Sequence, residues 1–401
     1  MIESWDANVV GIDGQDTTAQ RVVKPSITAY TAGEGEEVRG ETVITLRPEF
    51  FGPKERTFIE HGELSASLFR YDSGVEAVRL RNARGEVVLL PFQGQQIWDA
   101  RFDERVLTMR SMFPEPRATR DYLGNYGAFL LHCGATAMGN PSGEDTHPVH
   151  GELPNAPYGE AWAAVGTDGK GPYIAVGGEY RHTVAFACDY TARPRVTLRA
   201  GETVLPIAME IHNRKKSAME LMYLAHVNFR PLDGGRLVTP APATPEGMRV
   251  RTLVPATLSP PPGYREFLEQ LAADPARHQL LRQELGFDPE VVFFLSCTAD
   301  ESGWVRSLMV HPDGWASYIG YAAATLDHAV RWISRTPDQD CLGLILPATA
   351  EPDGYRAEKK KGNVKVLAAG QSVRFELEAG LLTPEQASAM EERIAEVLRC
   401  R

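Results

Sequence analysis

No stretch of this 401-residue chain approaches the roughly 20 consecutive apolar residues that a membrane-spanning helix needs. The opening segment, Met1-Ile2-Glu3-Ser4-Trp5-Asp6, carries acids and no apolar signal core, so the expectation is a cytoplasmic protein. Cysteine is scarce: five residues, at 133, 188, 297, 341 and 400, never in a CxxC pair. That pattern argues against structural zinc and against a disulfide framework. The glycine fingerprints of nucleotide sites, GxGxxG and GxxxxGK[ST], are missing, and no cofactor is expected. Positive charge is also in deficit, with 42 Lys+Arg against 53 Asp+Glu and a net charge of −11. An acidic chain is a poor partner for a nucleic-acid backbone or an anionic membrane.

What is present reads mainly as strands. Residues 75–82 alternate apolar and polar, and 85–92 follow after a turn at Asn82-Ala83-Arg84-Gly85. Further β-branched and aromatic segments lie at 173–180, 182–190, 195–201, 203–213 and 218–229, then at 291–297, 304–311, 315–321, 341–348 and 372–380. The pattern predicts an all-β fold, a large antiparallel sandwich running over 41–382. Two helical segments interrupt it. Leucines and Phe267 recur at helical spacing over 264–285, within an insertion at 259–286 that follows a proline-rich linker and carries a break at Pro275. A C-terminal helix over 383–401 opens with Thr383 as N-cap and Pro384 at the first helical position. Residues 1–40 read as an appended arm or edge strands, and the oligomeric state is open to a homo-oligomer.

Polar chemistry concentrates in two places. Glu144-Asp145-Thr146-His147-Pro148-Val149-His150-Gly151-Glu152 is the densest constellation, preceded by Asn125-Tyr126 and His132-Cys133 and followed by Trp162. His226 closes an apolar strand in Ala225-His226-Val227-Asn228-Phe229, where a polar ring is either satisfied in the core or faces a pocket. An extended 150–152 run would set His150 and Glu152 on one face. Arg110 and Lys359-Lys360-Lys361 are candidate anion ligands, although the lysines read rather as a solvated loop and Arg110 equally as a buried ion pair. Imidazoles and a carboxylate at His147, His150, Glu152 and His226 also permit a metal site, but the spacing is not diagnostic and none is assigned.

The His150-Gly151 pair with Trp162, the Ala-His-Val-Asn-Phe segment and Gly343-Leu344-Ile345-Leu346-Pro347-Ala348-Thr349-Ala350-Glu351-Pro352-Asp353 occur in an order similar to motifs of the aldose 1-epimerases. The chain resembles a divergent branch of that galactose mutarotase-like superfamily over about 60–380. The resemblance implies a β-supersandwich with a small carbohydrate as partner and ring opening by acid–base catalysis. His226 would be the general acid, and His150 would share that role. By their own chemistry, Arg110, Asn125, His132, Asn228 and Trp162 are the candidate sugar contacts, Arg110 for an acidic group and Trp162 as a stacking face. One position departs: Pro347 stands where the family carries its glutamate base. Glu152 and Glu351 are the candidates for a displaced base. A metal-assisted sugar isomerase and a non-catalytic sugar-binding protein remain the alternatives.

Overall fold

The computed structural model describes residues 40–254, 259–282 and 284–400, so the expected arm at 1–40 lies outside the described residues except for Gly40. Two large antiparallel sheets face each other. The nine-stranded sheet runs in the spatial order Thr42–Leu46, Glu160–Asp168, Gly171–Val184, Cys188–Arg199, Val204–Asn213, Ser372–Leu382, Ala316–Ala322, Trp304–Val310 and Arg236–Val238. The second sheet has thirteen strands. Its main path begins Met248–Val250, Val291–Leu295, His328–Arg335, Asp340–Ala348, Met219–Val227, Leu130–Ala135 and continues through Ile97–Phe102 to Arg56–His61.

Alternation assigns the two faces of this second sheet. On the Met219–Val227 strand, Leu221, Tyr223, Ala225 and Val227 join the core between the sheets, while Met222 and Leu224 join a separate apolar cluster on the other face. Both faces are covered, which is why 218–229 reads as an almost continuous apolar run. Tyr223 stacks on Phe375 of the opposite sheet with centroids 4.4 Å apart, an aromatic contact that adds about 0.5–1.5 kcal/mol beyond area burial. Fully buried Arg331 ties the insertion to the sheet. Its guanidinium donates to Leu344 O at 2.9 Å, to His278 Nε2 at 2.8 Å and to Thr239 Oγ1.

Some elements differ from the sequence reading. The expected strand at 182–190 is broken by a hairpin turn, with Phe186 at φ 65° and Ala187 N bonded to Val184 O. The lysine run belongs to a short helix, Tyr355–Lys361, and not to a loop. In the insertion, the helix is confined to Tyr264–Ala273, and Pro275 opens a 3₁₀ turn to Gln279. The last helix, Pro384–Arg399, begins with a capping box in which Thr383 Oγ1 accepts from Gln386 N.

Candidate functional site

A cleft of about 410 Å³ opens on the outer face of the thirteen-stranded sheet, within the usual range of small-molecule sites. Its floor comes from neighbouring strands, through Leu224 and His226, Leu346, Val330 and Trp332, and Val292. Glu290 and Arg251 stand at the ends of the Val291–Leu295 and Met248–Val250 strands. The segment before Leu130 adds Tyr122 and Tyr126, and the turn at 149–150 adds Val149 and His150.

His226 is 4 % exposed and its orientation is held from behind. Its Nδ1 lies 2.7 Å from Asn228 Oδ1, and the Asn228 amide group donates to Ala128 O at 3.0 Å. That second bond fixes the amide with its oxygen toward the ring, so Nδ1 carries the hydrogen and Nε2 keeps its lone pair. Three rings box the imidazole edge-on: His150, Trp332 and Tyr126, with centroids at 5.5, 5.3 and 5.9 Å. Burial pushes the His226 pKa down to about 4, although the Asn228 contact opposes the shift. The ring is therefore neutral at pH 7.

His150 reaches the cleft through an unusual turn. His150 and Gly151 have φ of 59° and 80°, and a Cβ on Gly151 would lie 2.3 Å from Ala137 O. Only glycine fits there. His150 N donates to Gly139 O and Gly134 N donates to His150 O, both at 2.9 Å, so the backbone on each side of the ring is pinned. The pKa of His150 is well below the ordinary value, first through burial and then through His226, His147 and Arg251. Its Nδ1 is buried with no hydrogen-bond partner. A hydrogen on Nδ1 would orphan a buried donor, so the neutral ring carries it on Nε2.

Trp332 links this pair of rings to a cleft carboxylate, Glu290. Trp332 meets His226 edge-on and donates its Nε1–H to Glu290 Oε2 at 2.7 Å. Arg251 Nη2 donates to Glu290 Oε1, and both partners are largely shielded from solvent.

The residues expected from the sequence fall into two groups. His150 and His226 share the cleft, with Asn228 directly behind. The others lie elsewhere. Glu152 is absent from the cleft lining because the left-handed turn at 150–151 breaks the expected extended run. Its carboxylate accepts from Ala135 N, Thr136 N and Oγ1, and Tyr190 Oη at 2.6–3.2 Å. Glu351 pairs with Arg249 and Lys361 outside the cleft. His132 points into the intersheet core, where Nδ1 meets Tyr223 Oη at 2.7 Å and burial lowers its pKa to about 3. Asn125 is locked in a buried amide cluster with Asn155 and Gln96. Arg110 donates to the carbonyls of Thr336 and Pro337, steadying the loop whose Thr336 and Asp338 line the cleft. Trp162 belongs to the nine-stranded sheet, on the face opposite Ala161 and Ala163, which enter the core.

The four-residue metal reading does not assemble, because Glu152 is engaged as above and His147 lines a different cavity. Among the described residues, the one group of three potential ligands is Glu351, Asp353 and Glu358, and Lys361 Nζ sits 2.6–2.7 Å from all three. Pro347 pairs with Ala329, and its neighbour Leu346 lines the cleft. Glu290, Arg251, Trp332 and Tyr122 were not singled out in the sequence. They come from segments far apart in the chain, and a single carboxylate before an apolar strand carries no distinctive signal.

Residues 72–381 match the family model described as "domain of unknown function (DUF4432)". None of the curated proteins matches the chain in sequence. Among solved structures, the chain is similar to a Klebsiella pneumoniae protein provisionally described as an aldose 1-epimerase, at 17 % identity and a TM-score of 0.75, covering 90 % of this chain and 96 % of that one. It is also similar to a galactose mutarotase-like protein from Clostridium acetobutylicum, at 12 % identity and a TM-score of 0.54, covering 80 % and 100 %. At these identities the likeness establishes the galactose mutarotase-like β-sandwich and leaves the chemistry to the cleft.

Proposed function

The chain belongs to the DUF4432 family, which prescribes no reaction, and from the cleft itself we propose an aldose 1-epimerase-like activity, the interconversion of the anomers of a monosaccharide. One observation carries this reading: two neutral imidazoles meet edge-on in the cleft, one with its free lone pair set by Asn228.

Ring opening moves one proton from the anomeric hydroxyl to the ring oxygen as the C1–O5 bond breaks. O1 and O5 share C1, so one nitrogen beside that carbon serves both. His226 Nε2 accepts the O1 proton while the C1=O1 bond forms and the C1–O5 electron pair passes to O5. The Nε2–H of His150 stabilises the charge developing on O5. The His226 imidazolium, a ready acid with a pKa near 4, then returns its proton to O5. Rotation about C1–C2 and the reverse steps close the ring on the other face. Positioned proton transfer of this kind contributes roughly 10²–10⁴-fold. His226 thus begins the cycle as a base rather than as the acid implied by resemblance. The lack of a glutamate at Pro347 leaves this route intact. Glu290, held by Arg251 and Trp332, supplies acceptors for sugar hydroxyls.

The test is anomer exchange followed by NMR on a panel of monosaccharides with wild type, His226→Ala and His150→Ala. Acceleration by wild type, lost with His226 and weakened at least tenfold without His150, is expected. A sugar that binds without acceleration by wild type would replace this reading with that of a binding protein.

A further inference from the structure

We propose that the sugar is a 6-deoxyhexose, with a methyl group where the parent hexose carries its 6-hydroxyl; this rests on the ring-opening reading above. The cleft is chemically divided. Arg251, Glu290, Ser334, Thr336, Asp338 and Gln339 supply hydrogen-bonding groups from the Glu290 side and from the end of the His328–Arg335 strand with its following loop. The histidine side is walled by aliphatic groups and by the rings of Tyr122 and Tyr126, whose hydroxyls are engaged with each other and with Asn228. Val149 precedes His150, and Leu224 lies two residues from His226 on the same face of its strand. Leu224 pairs with Ala348, which sets Leu346 alongside His226 across the antiparallel ladder.

With C1 and O5 at the two imidazoles, C5 and its exocyclic carbon are the next atoms past O5. They meet Val149 and Leu346, with Leu224 packed beneath them. A methyl group gains from contact with this wall, whereas a hydroxyl pressed against it loses its water partners and finds no replacement. The ring hydroxyls further from C1 meet the polar side. Two exposed apolar side chains, Met112 and Leu123, also line the cleft, so its apolar character extends to its solvent-facing parts. Asn140 also lines the cleft, following Gly139, whose carbonyl accepts from His150 N.

Matched sugars that differ only at C6 provide the test: L-fucose with L-galactose, L-rhamnose with L-mannose, D-fucose with D-galactose, and D-quinovose with D-glucose. Dissociation constants by calorimetry and anomer exchange by NMR are read separately. At least one pair is expected to bind, with the deoxy member tighter by about tenfold or more. Leu346→Gln, which offers a hydrogen-bonding group at the wall, should narrow that ratio, while Asn140→Ala should leave it in place. Parent hexoses that bind as tightly as their deoxy partners overturn the proposal, as does failure of every pair to bind. A deoxy preference that emerges only in Asn140→Ala also overturns it, because Asn140 would then serve a 6-hydroxyl. Tighter binding of a deoxy sugar without accelerated exchange upholds the ligand class and defeats the ring-opening reading instead.

Discussion

Asn228 decides which nitrogen of His226 faces the cleft: its Oδ1 receives the Nδ1 hydrogen at 2.7 Å, and its own amide is anchored on Ala128 O. Replacing it with aspartate keeps the acceptor but adds a negative charge beside the ring, which raises the His226 pKa. The acid limb of the pH–kcat/KM profile should then move up by about one unit or more from near pH 4, so that the loss of rate shows first near pH 5. Asn228→Leu orphans the buried Nδ1–H and should cost about 1–3 kcal/mol of stability by denaturant titration. A pH profile unchanged in Asn228→Asp would mean that His226 does not carry the proton.

The depressed histidines also set a stability profile. His226 and His311 have pKa values lowered to about 4, and His132 and His278 to about 3, in each case first by burial. The unfolded chain binds protons on these rings below about pH 6.5, whereas the folded chain stays neutral until about pH 3–4. Stability is therefore full above about pH 6.5 and falls as pH drops through that window, by up to about 1.4 kcal/mol per pH unit for each ring. Denaturant midpoints at pH 7 and pH 5 measure it, and His278→Gln should flatten the slope. Catalysis should persist at pH 5.5, where a histidine of ordinary pKa would already be mostly protonated.

Two glutamates separate structural from cleft chemistry. Glu152 binds the backbone of Ala135 and Thr136 and the hydroxyl of Tyr190, so Glu152→Gln should lower stability by about 1–3 kcal/mol while the folded fraction keeps its activity. Glu290→Gln removes the charge that pairs with Arg251 in the cleft and should raise KM at least tenfold. Trp332→Phe deletes the Nε1–H bond to Glu290 and should raise KM less, with the melting temperature little changed. Activity lost in Glu152→Gln and retained in Glu290→Gln would reverse these assignments.

The architecture was legible because strand periodicity is local. Residues 75–82 alternate, 218–229 run apolar on both faces, and the Thr383-Pro384 start marks the last helix. Legibility in the cleft followed the same rule. His150 and His226 each stand out within a short motif, whereas Glu290 and Arg251 acquire meaning only when Met248–Val250 pairs with Val291–Leu295 and brings them together. Trp332 joins them because the next strand, His328–Arg335, pairs Trp332 with Val292. The expected alignment of His150 with Glu152 rested on an extended backbone. Two consecutive left-handed residues send the carboxylate to Tyr190, and His-Gly signals a turn only when the glycine is read as a φ requirement.

That turn yields the last prediction. Gly151→Ala must place a Cβ at left-handed φ against backbone carbonyls of Ala137 and Gly134, 2.3 and 2.5 Å away. Left-handed φ alone costs an alanine about 1–2 kcal/mol, and rigid carbonyls cannot move aside as a flexible side chain does. The turn must open, carrying the His150 ring away from His226. Gly143 is the control: it also has positive φ, 59°, but its Cβ would meet nothing within 4 Å. Gly143→Ala should cost only about 1 kcal/mol and leave anomer exchange intact. Gly151→Ala should lose about 2 kcal/mol or more and at least tenfold in kcat/KM per folded molecule. Equal melting and equal exchange in the two variants would show that the 150–151 turn does not set the position of the His150 ring.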